Sequence, residues 1–303
     1  MKKNAIGIRC HEIGDKEKNL YSLCKAYFGS ENTFFVMNVE SKNKKIPGGF
    51  NSVIFNEKTI LNTENLYWPK DVAWRCGDYC YYALWHALKG YEFIWLIEND
   101  VKLCSDDAKD FFSDFESVEQ DFLAPFFGKA NERLPFYPTA KVLEAEPHSC
   151  LFCVSRLRVS FIPKLLNLRK KISDKFKRER ISPKLYPNDE IFVSTVGTRL
   201  GLRCAPLDKV SSYNFSLFSS TNMAGFLDRD VENVHGKFVM HPVLQEEKFK
   251  NKKFRGFQTV LTKSIPLLDY VTQTIRKCPD EKVKKDLKKK FLEEFEKFLR
   301  GIK

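Results

Sequence analysis

The chain has 303 residues, 43% of them hydrophobic, which is enough for one large α/β domain or one domain with an appendage. Its net charge of +12 favours polyanionic partners: nucleic acid, an acidic membrane surface or phosphorylated substrates. No run approaches the ~18–20 apolar residues of a membrane span, and the start MKKNAIGIRC lacks the apolar region of a signal peptide. The nine scattered cysteines fit reduced thiols better than a disulfide framework. We therefore expect a cytoplasmic protein.

The first sixty residues predict an α/β sandwich of the nucleotide-binding kind, with a mostly parallel central sheet. Apolar patterns predict strands over 4–10, 32–39 and 50–55 and a helix over 19–28. Neither a Gly-x-Gly-x-x-Gly motif nor a phosphate-loop lysine motif occurs, so a dinucleotide-binding fold and a phosphate-loop NTPase are both disfavoured.

The pattern of residues 68–90 predicts a helix that starts at Gly77-Asp78 and stops at Gly90. The helix leads into the next strand, so its amino end is expected near the ligand-binding edge of the sheet. Trp74, Arg75 and Asp78 are therefore candidates for contacting a nucleotide or a sugar. The alternative is that Trp74 lies in the core, Arg75 on the surface, and Asp78 caps the helix.

The stretch YEFIWLIENDVKL contains the strongest functional signal in the sequence. Residues 93–97 form an apolar run that suits a strand buried on both faces, and Glu98-Asn99-Asp100 follow directly. Ligands bind at the carboxyl edge of an open α/β sheet, and two carboxylates one residue apart can hold Mg²⁺ or Mn²⁺. The alternative is an acidic turn in which Asp100 accepts hydrogen bonds from backbone amides.

The middle of the chain continues the alternation of strands and helices. We expect helices over 106–118 and 159–168, and strands over 121–127 and 148–154. Cys150 and Cys153 have the spacing of half a zinc site, but no second pair follows, so they are interpreted as core thiols.

A second acidic cluster, Asp189-Glu190, follows Pro187 and precedes an apolar helix. These carboxylates can interact favourably with the positive end of the helix dipole, or one of them can act as a general base. Of the two, Asp189 is favoured as the base because it comes first after the turn. Residues 211–230 are rich in Ser, Asn and Gly and predict a loop or lid, and His241 then follows a short apolar strand.

The last segment, 246–303, predicts a basic and mainly helical extension. Over 280–302 a stripe of Leu and Phe side chains lies opposite many lysines. Such a helix either packs on its own domain or lies on an anionic membrane surface, apolar face inward. The second possibility would make the protein peripheral on the inner face of the membrane.

From residue 4 to residue 243, the order of motifs resembles a GT-A-type glycosyltransferase. That family has an amino-terminal nucleotide-binding α/β half, an acidic metal motif after an apolar strand, a later acidic base, and often a histidine near the end of the domain. Glu98-Asn99-Asp100 would stand for the Asp-x-Asp motif, with Glu in place of the first Asp. The resemblance implies that Glu98, Asp100 and His241 hold Mn²⁺ or Mg²⁺ against the donor diphosphate.

The same resemblance implies an inverting reaction in which Asp189 or Glu190 deprotonates the acceptor hydroxyl. Lys102 and Arg199 could add positive charge for phosphates. The residues predicted to bind the donor are Arg9, Trp74, Arg75, Asp78, Glu98, Asn99 and Asp100.

The whole chain is therefore interpreted as a GT-A-like catalytic domain, 1–245, with a donor half about 1–103 and an acceptor half about 104–245, followed by the extension. The expected partners are a nucleotide-sugar and a saccharide or lipid-linked acceptor, in the synthesis of a bacterial surface polysaccharide, capsule or lipooligosaccharide. Two alternatives stay open: a Mg²⁺-dependent nucleotidyltransferase and a nucleic-acid-binding protein. Nucleic acid is not expected as a partner, because the central motifs are acidic and repel a phosphate backbone.

Overall fold

A computed structural model describes residues 4–38, 47–104, 109–220, 225–231, 234, 236–262, 275 and 281–301. The chain forms two compact units. Unit 1 consists of Met1–Asn99 and Ser105–Asn214, and unit 2 of Asp100–Cys104 and Phe215–Lys303. The domain division at residue 245 stays a prediction.

The described elements alternate between strands and helices along most of the chain. The strands are β1 Asn4–Cys10, β2 Thr33–Asn38, β3 Ser52–Phe55, β4 Phe93–Glu98, β5 Lys102–Cys104, β6 Phe122–Ala124, β7 Gly128–Lys129, β8 His148–Ser149, β9 Val154–Arg158, β10 Cys204–Pro206, β11 Phe226–Leu227, β12 Phe238–Met240 and β13 Val243–Leu244. The α-helices are α1 Asp15–Phe28, α2 Glu57–Glu64, α3 Val72–Arg75, α4 Asp78–Ala87, α5 Lys109–Ser113, α6 Ile162–Glu179, α7 Asp189–Arg199, α8 Leu207–Val210, α9 Glu246–Thr262 and α10 Glu281–Gly301.

Unit 1 is built on a seven-stranded sheet with the strand order β10-β6-β9-β4-β1-β2-β3. Every neighbouring pair is parallel except the two that include β9, which runs antiparallel to both β4 and β6. The chain leaves β1 for β2 and β3 on one side and returns to β4 on the other. This mixed α/β architecture with a mostly parallel sheet confirms the predicted fold class.

Alternate residues of β4 show how both faces of the sheet are covered. Trp95 contacts the rings of Phe111 and Phe112, and Phe112 contacts Phe28 of α1, so α1 and α5 cover that face. Leu96 points the other way, into a core cluster that includes α4, α6 and α7. Because side chains alternate along a strand, the two groups of helices lie on opposite faces.

Three predicted elements differ from the structure. The helix predicted over 106–118 ends at Ser113 as α5. The predicted strand 148–154 is broken, because β8 ends at Ser149 and β9 begins only at Val154. The predicted helix 159–168 begins as a 3₁₀ turn and continues as α6 through the basic stretch to Glu179. Parts of other predictions lie outside the described residues, namely residues 39, 106–108, 221–224, 263–274, 276–280 and 302–303.

The described part of unit 2 contains two two-stranded sheets, an isolated β-bridge and two long helices. β5 pairs antiparallel with β12, β11 pairs parallel with β13, and His241 forms an isolated bridge with Phe218. α10 buries Val283, Leu287 and Phe291 in a cluster with apolar residues of β11, β13 and α9. The described part of the apolar stripe is therefore core of unit 2, as in the first of the two interpretations above.

Membrane-spanning helices are absent from the described residues, none of whose helices combines the length and the apolar character needed to cross a bilayer. All the cysteines in that part of the chain are free thiols. Cys150 and Cys153 are buried, as predicted for core residues.

Candidate active site

The carboxyl ends of β1 and β4 bring together two of the side chains that the sequence analysis predicted to bind the donor. Arg9 and Glu98 are register partners in these neighbouring strands, and Arg9 Nη1 lies 2.5 Å from Glu98 Oε1. Arg9 also donates to the carbonyl oxygen of Ala73. The chain leaves β1 and β4 in different directions, so this edge is a topological switch point, where open α/β sheets bind ligands.

Asp189, the first residue of α7, reaches the same place. Its Oδ2 lies 3.6 Å from Arg9 Nη1 and accepts a hydrogen bond of 2.8 Å from the Gly77 amide. A Cβ on Gly77 would approach both Asp189 Oδ2 and Arg9 Nη1 to less than 3.0 Å. The contact therefore requires glycine for space, since the backbone of Gly77 has a helical φ of −61°.

Burial and charge change the acidity of this carboxylate. Burial raises the pKa of Asp189 well above its ordinary value, and the charges of Asp78 and Glu98 add to the rise, while Arg9 opposes it. For Arg9, burial lowers the pKa, but Glu98 and Asp189 more than offset this, so its pKa lies above the usual value.

Glu190 follows in the first turn of α7. Asn188 caps this helix through Oδ1, which accepts from the Ile191 amide, while its Nδ2 donates to Glu190 Oε2 over 3.1 Å. Burial raises the pKa of Glu190, and the charge of Asp189 raises it further. Glu190 is half-buried whereas Asp189 is 3% exposed, so Glu190 is the more accessible of the two.

Behind this cluster, two buried arginines hold the turn that leads into α7. Arg169 binds both oxygens of Asp78 at 2.8 Å and donates to the carbonyl oxygen of Pro187. Arg75 binds Asp71 and donates to the carbonyl oxygen of Tyr186 over 2.9 Å.

Neither Asp78 nor Arg75 is placed to touch a ligand in this structure, because both are buried and bonded within the protein. Gly77, not Asp78, is the N-cap of α4, and the helix has no side-chain cap there. The tertiary pairing with Arg169 accounts for Asp78 instead.

Asn99 is also engaged inside unit 1. Its Nδ2 donates to Glu17 Oε1 over 2.6 Å, and its amide donates to the Arg9 carbonyl oxygen. The other oxygen of Glu17 accepts from the Gly14 amide, which is one of the two bonds of a capping box at the start of α1. Asn99 therefore fixes the end of β4 to α1.

A small cleft opens beside Arg9 at the carboxyl ends of β1, β2 and β3. These strand ends and the α3–α4 segment supply its walls. The lining residues are Arg9, Cys10, His11, Asn38, Phe55, Val72, Ala73, Cys76 and Cys80.

In unit 2, Asp100 and His241 lie side by side because the pairing of β5 with β12 brings their ends together. His241 Nε2 is 3.4 Å from Asp100 Oδ1. His241 Nδ1 is 2.7 Å from the carbonyl oxygen of Ser219, which can only accept, so Nδ1 carries a proton. This second bond fixes the imidazole orientation in the way typical of metal-binding histidines.

The remaining predicted residues are more exposed. Trp74 is 61% exposed on α3. Arg199 is exposed and donates to the Leu143 carbonyl oxygen, and Lys102 is half-buried in β5. The sequence prediction missed the contributions of Arg169 and Gly77. For Arg169 a signal existed, because it continues the buried stripe of α6 that contains Ile162, Leu165 and Leu166.

No family model and no curated protein matches the chain. Among solved structures it is similar to mannose-1-phosphate geranyltransferase from Thermus thermophilus, with 11% identity and a TM-score of 0.37 over 74% of this chain and 82% of that one. It is similar to Core-mannan synthase A from Aspergillus fumigatus in its Mn/GDP form, with 11% identity and a TM-score of 0.38 over 67% and 72%. It is also similar to mouse Xyloside xylosyltransferase 1, with 10% identity and a TM-score of 0.35 over 67% of this chain and 84% of that one. At these values no family is assigned.

Proposed function

We propose that the protein is a glycosyltransferase that moves a sugar from a nucleotide-sugar to a saccharide or lipid-linked acceptor. The observation that carries this proposal is the meeting of Arg9, Glu98 and Asp189 at the switch point of the sheet. Such a cluster places carboxylates for proton transfer beside a fixed guanidinium. A bacterial surface polysaccharide, capsule or lipooligosaccharide would be its product.

The cleft beside Arg9 is the proposed site of the nucleotide. It lies at the carboxyl ends of parallel strands, and Arg9, His11 and Asn38 bring polar groups to an otherwise largely apolar wall. The base and ribose would then lie against this wall.

Glu190 is the proposed general base of an inverting reaction. A base works best when its pKa is near the operating pH, and burial and Asp189 raise the pKa of Glu190 in that direction. Its partial exposure gives an acceptor hydroxyl access, whereas both oxygens of Asp189 accept backbone hydrogen bonds. Asp189 is accordingly a positioning carboxylate. This assignment reverses the sequence-based preference between the two.

Asp100 and His241 fit a divalent cation. A carboxylate oxygen and an imidazole nitrogen are ligands that Mn²⁺ accepts, and the bond from Nδ1 to Ser219 directs Nε2 towards Asp100. When bound, such a cation would neutralise negative charge on a diphosphate leaving group. Glu98, the other predicted ligand in the acidic triplet, is paired with Arg9, and its role towards metal stays a prediction.

The test is to incubate the full chain with UDP-, GDP- and CMP-sugars, Mn²⁺ and a panel of methyl glycosides, and to identify the released nucleotide. We expect the donor's nucleoside diphosphate, or CMP from a CMP-sugar, and expect Asp100→Asn to abolish its release at saturating Mn²⁺ while melting as the wild type does. Near-normal transfer by Asp100→Asn would contradict the metal assignment. Release of pyrophosphate from nucleoside triphosphates and sugar phosphates would favour a nucleotidyltransferase. A thermal shift with single-stranded DNA, and with none of the nucleotide-sugars, would favour a nucleic-acid-binding protein.

A further inference from the structure

Trp74 is the most exposed large aromatic side chain in the described part of the chain, with 61% of its surface open. Single exposed apolar residues are common on protein surfaces, but Trp74 is not isolated. Its ring centroid lies 5.1 Å from that of Phe136, at an interplanar angle of 59°. Leu134, two residues before Phe136, is also exposed. Trp74 and Phe136 form an aromatic patch on unit 1.

The short helix α3 has two sides with different neighbours. Val72 and Ala73 line the cleft beside Arg9, whereas Trp74 and Arg75 contact Phe136. Phe136 precedes the 3₁₀ helix Tyr137–Leu143, which packs on α7. The patch is therefore tied to the helix that begins with the candidate carboxylates, and it faces away from the proposed nucleotide cleft.

The Phe136 side of the patch is supported by Arg75. The Arg75 guanidinium lies 5.6 Å from the Phe136 ring centroid, and Asp71 and the Tyr186 carbonyl oxygen hold it in place. Aromatic side chains that are already fixed lose little conformational entropy when a ligand binds.

A pyranose ring fits such a surface. Its axial C–H groups form an apolar face with slightly positive hydrogens, and the face of an aromatic ring is negative. We propose that Trp74 and Phe136 bind a pyranose ring of the acceptor, an inference that rests on the proposed glycosyl transfer. Trp74, which the sequence analysis assigned to the donor, is thereby an acceptor-binding residue.

The first experiment measures sugar binding to the full chain without any donor. The probes are the methyl glycosides of glucose, galactose and mannose, followed by tryptophan fluorescence and by saturation-transfer NMR. We expect at least one glycoside to bind, Trp74→Ala to lose that binding, and Trp74→Phe to retain much of it. Trp85→Phe is the matched control, because Trp85 is a half-buried tryptophan near the carboxyl end of α4, outside the patch. This variant should keep the NMR signal and the fluorescence change.

The second experiment measures transfer to the glycoside that binds. Losing one aromatic contact should raise the acceptor KM of Trp74→Ala by about tenfold. The donor KM should change by less than about threefold, because the nucleotide cleft lies on the other side of α3.

The two proposals fail in different ways. The acceptor platform is overturned if Trp74→Ala binds the glycosides as the wild type does, if no glycoside in the panel binds the wild type, or if the donor KM changes more than the acceptor KM. Sugar binding that depends on Trp74, in a protein that transfers nothing, would keep the platform and reject the transferase.

Discussion

Two of the buried ionic clusters in unit 1 differ in their balance of charge. In the first, Asp78 and Arg169 form a closed pair: Arg169 binds both carboxylate oxygens, and the Tyr82 hydroxyl donates to one of them. In the second, a single arginine, Arg9, contacts the two carboxylates Glu98 and Asp189. The first cluster satisfies its charges internally, and the second holds more negative than positive charge.

The difference separates scaffold from site. The closed pair extends through Arg169 to the Pro187 carbonyl oxygen, so it sets the path of the turn before Asp189. The open cluster keeps a carboxylate whose pKa is raised by burial, an arrangement that costs stability and is characteristic of functional sites. Breaking the first should therefore damage the fold, and breaking the second should damage the chemistry.

The largest expected effect is on the closed pair. Arg169→Met leaves Asp78 buried without its partner, which should lower the free energy of unfolding by about 3–5 kcal/mol. Urea denaturation of the purified protein measures this loss.

The double variant Asp78→Asn/Arg169→Met is the control for that measurement. With no buried charge left uncompensated, it should recover part of the lost stability. If Arg169→Met unfolds at the same urea concentration as the wild type, the pair does not support the fold.

Substitutions of the carboxylates at the start of α7 should lower the turnover number. Glu190→Gln removes the proposed base and should lower kcat by roughly 10²–10⁴-fold, with a donor KM close to that of the wild type. Asp189→Asn should have a smaller effect, because an amide oxygen can still accept from the Gly77 amide.

Steady-state kinetics on both variants checks this order. Glu179→Gln, which alters an exposed glutamate at the end of α6, is the control and should turn over normally. A larger loss of kcat in Asp189→Asn than in Glu190→Gln would identify Asp189 as the general base. Normal turnover in both would place the base elsewhere or indicate a retaining reaction.

The open cluster was largely predictable from the sequence, because its members follow local rules. The apolar run before Glu98 predicted a buried strand with carboxylates at its exit, and Pro187 predicted a turn before Asp189 and the start of a helix. Both features are present in the structure. Hydrophobic periodicity and turn residues are short-range signals, so they fix where each strand or helix ends.

The closed pair was not predicted, because its contacts span long stretches of chain. Asp78 and Arg169 are 91 residues apart in the sequence. A local rule assigned Asp78 to helix capping, but the tertiary ion pair determined its role. Arg169 lies within a run of basic residues that suggested an exposed surface, yet its position on the α6 stripe buries it completely.

Gly77 joins the open cluster to α4, and its substitution should have an intermediate effect. A methyl group in Gly77→Ala would push Asp189 Oδ2 and Arg9 Nη1 apart, which should cost about 1–3 kcal/mol of stability, as overpacking does. Turnover should also fall, because the backbone bond that holds Asp189 is displaced. Gly201→Ala is unsuitable as a control since its φ is +76°, whereas Gly128→Ala adds a Cβ into open space and should be close to neutral. Equal melting temperatures for Gly77→Ala and Gly128→Ala would contradict the close packing at Gly77.

The smallest expected effect is a dependence of stability on pH. The folded-state pKa of Asp189 is raised, so between its ordinary value and the raised value the folded protein binds more protons than the unfolded chain does. Its contribution to stability is thus fully present in acid and is lost as the pH rises through the raised pKa, at up to about 1.4 kcal/mol per pH unit for one proton.

The amide of Asp189→Asn has no such proton to release. Its free energy of unfolding should therefore fall less steeply than that of the wild type between about pH 5 and about pH 7.5. This window lies below the range in which ordinary thiols titrate. Asp71 and Asp121 do not produce this trend, because their lowered pKa values remove stability only as the pH falls. Urea denaturation at each pH, on the wild type and on Asp189→Asn, gives the two slopes. Parallel slopes would mean that Asp189 is ionised throughout the window, and the open cluster would then be as well balanced as the closed pair.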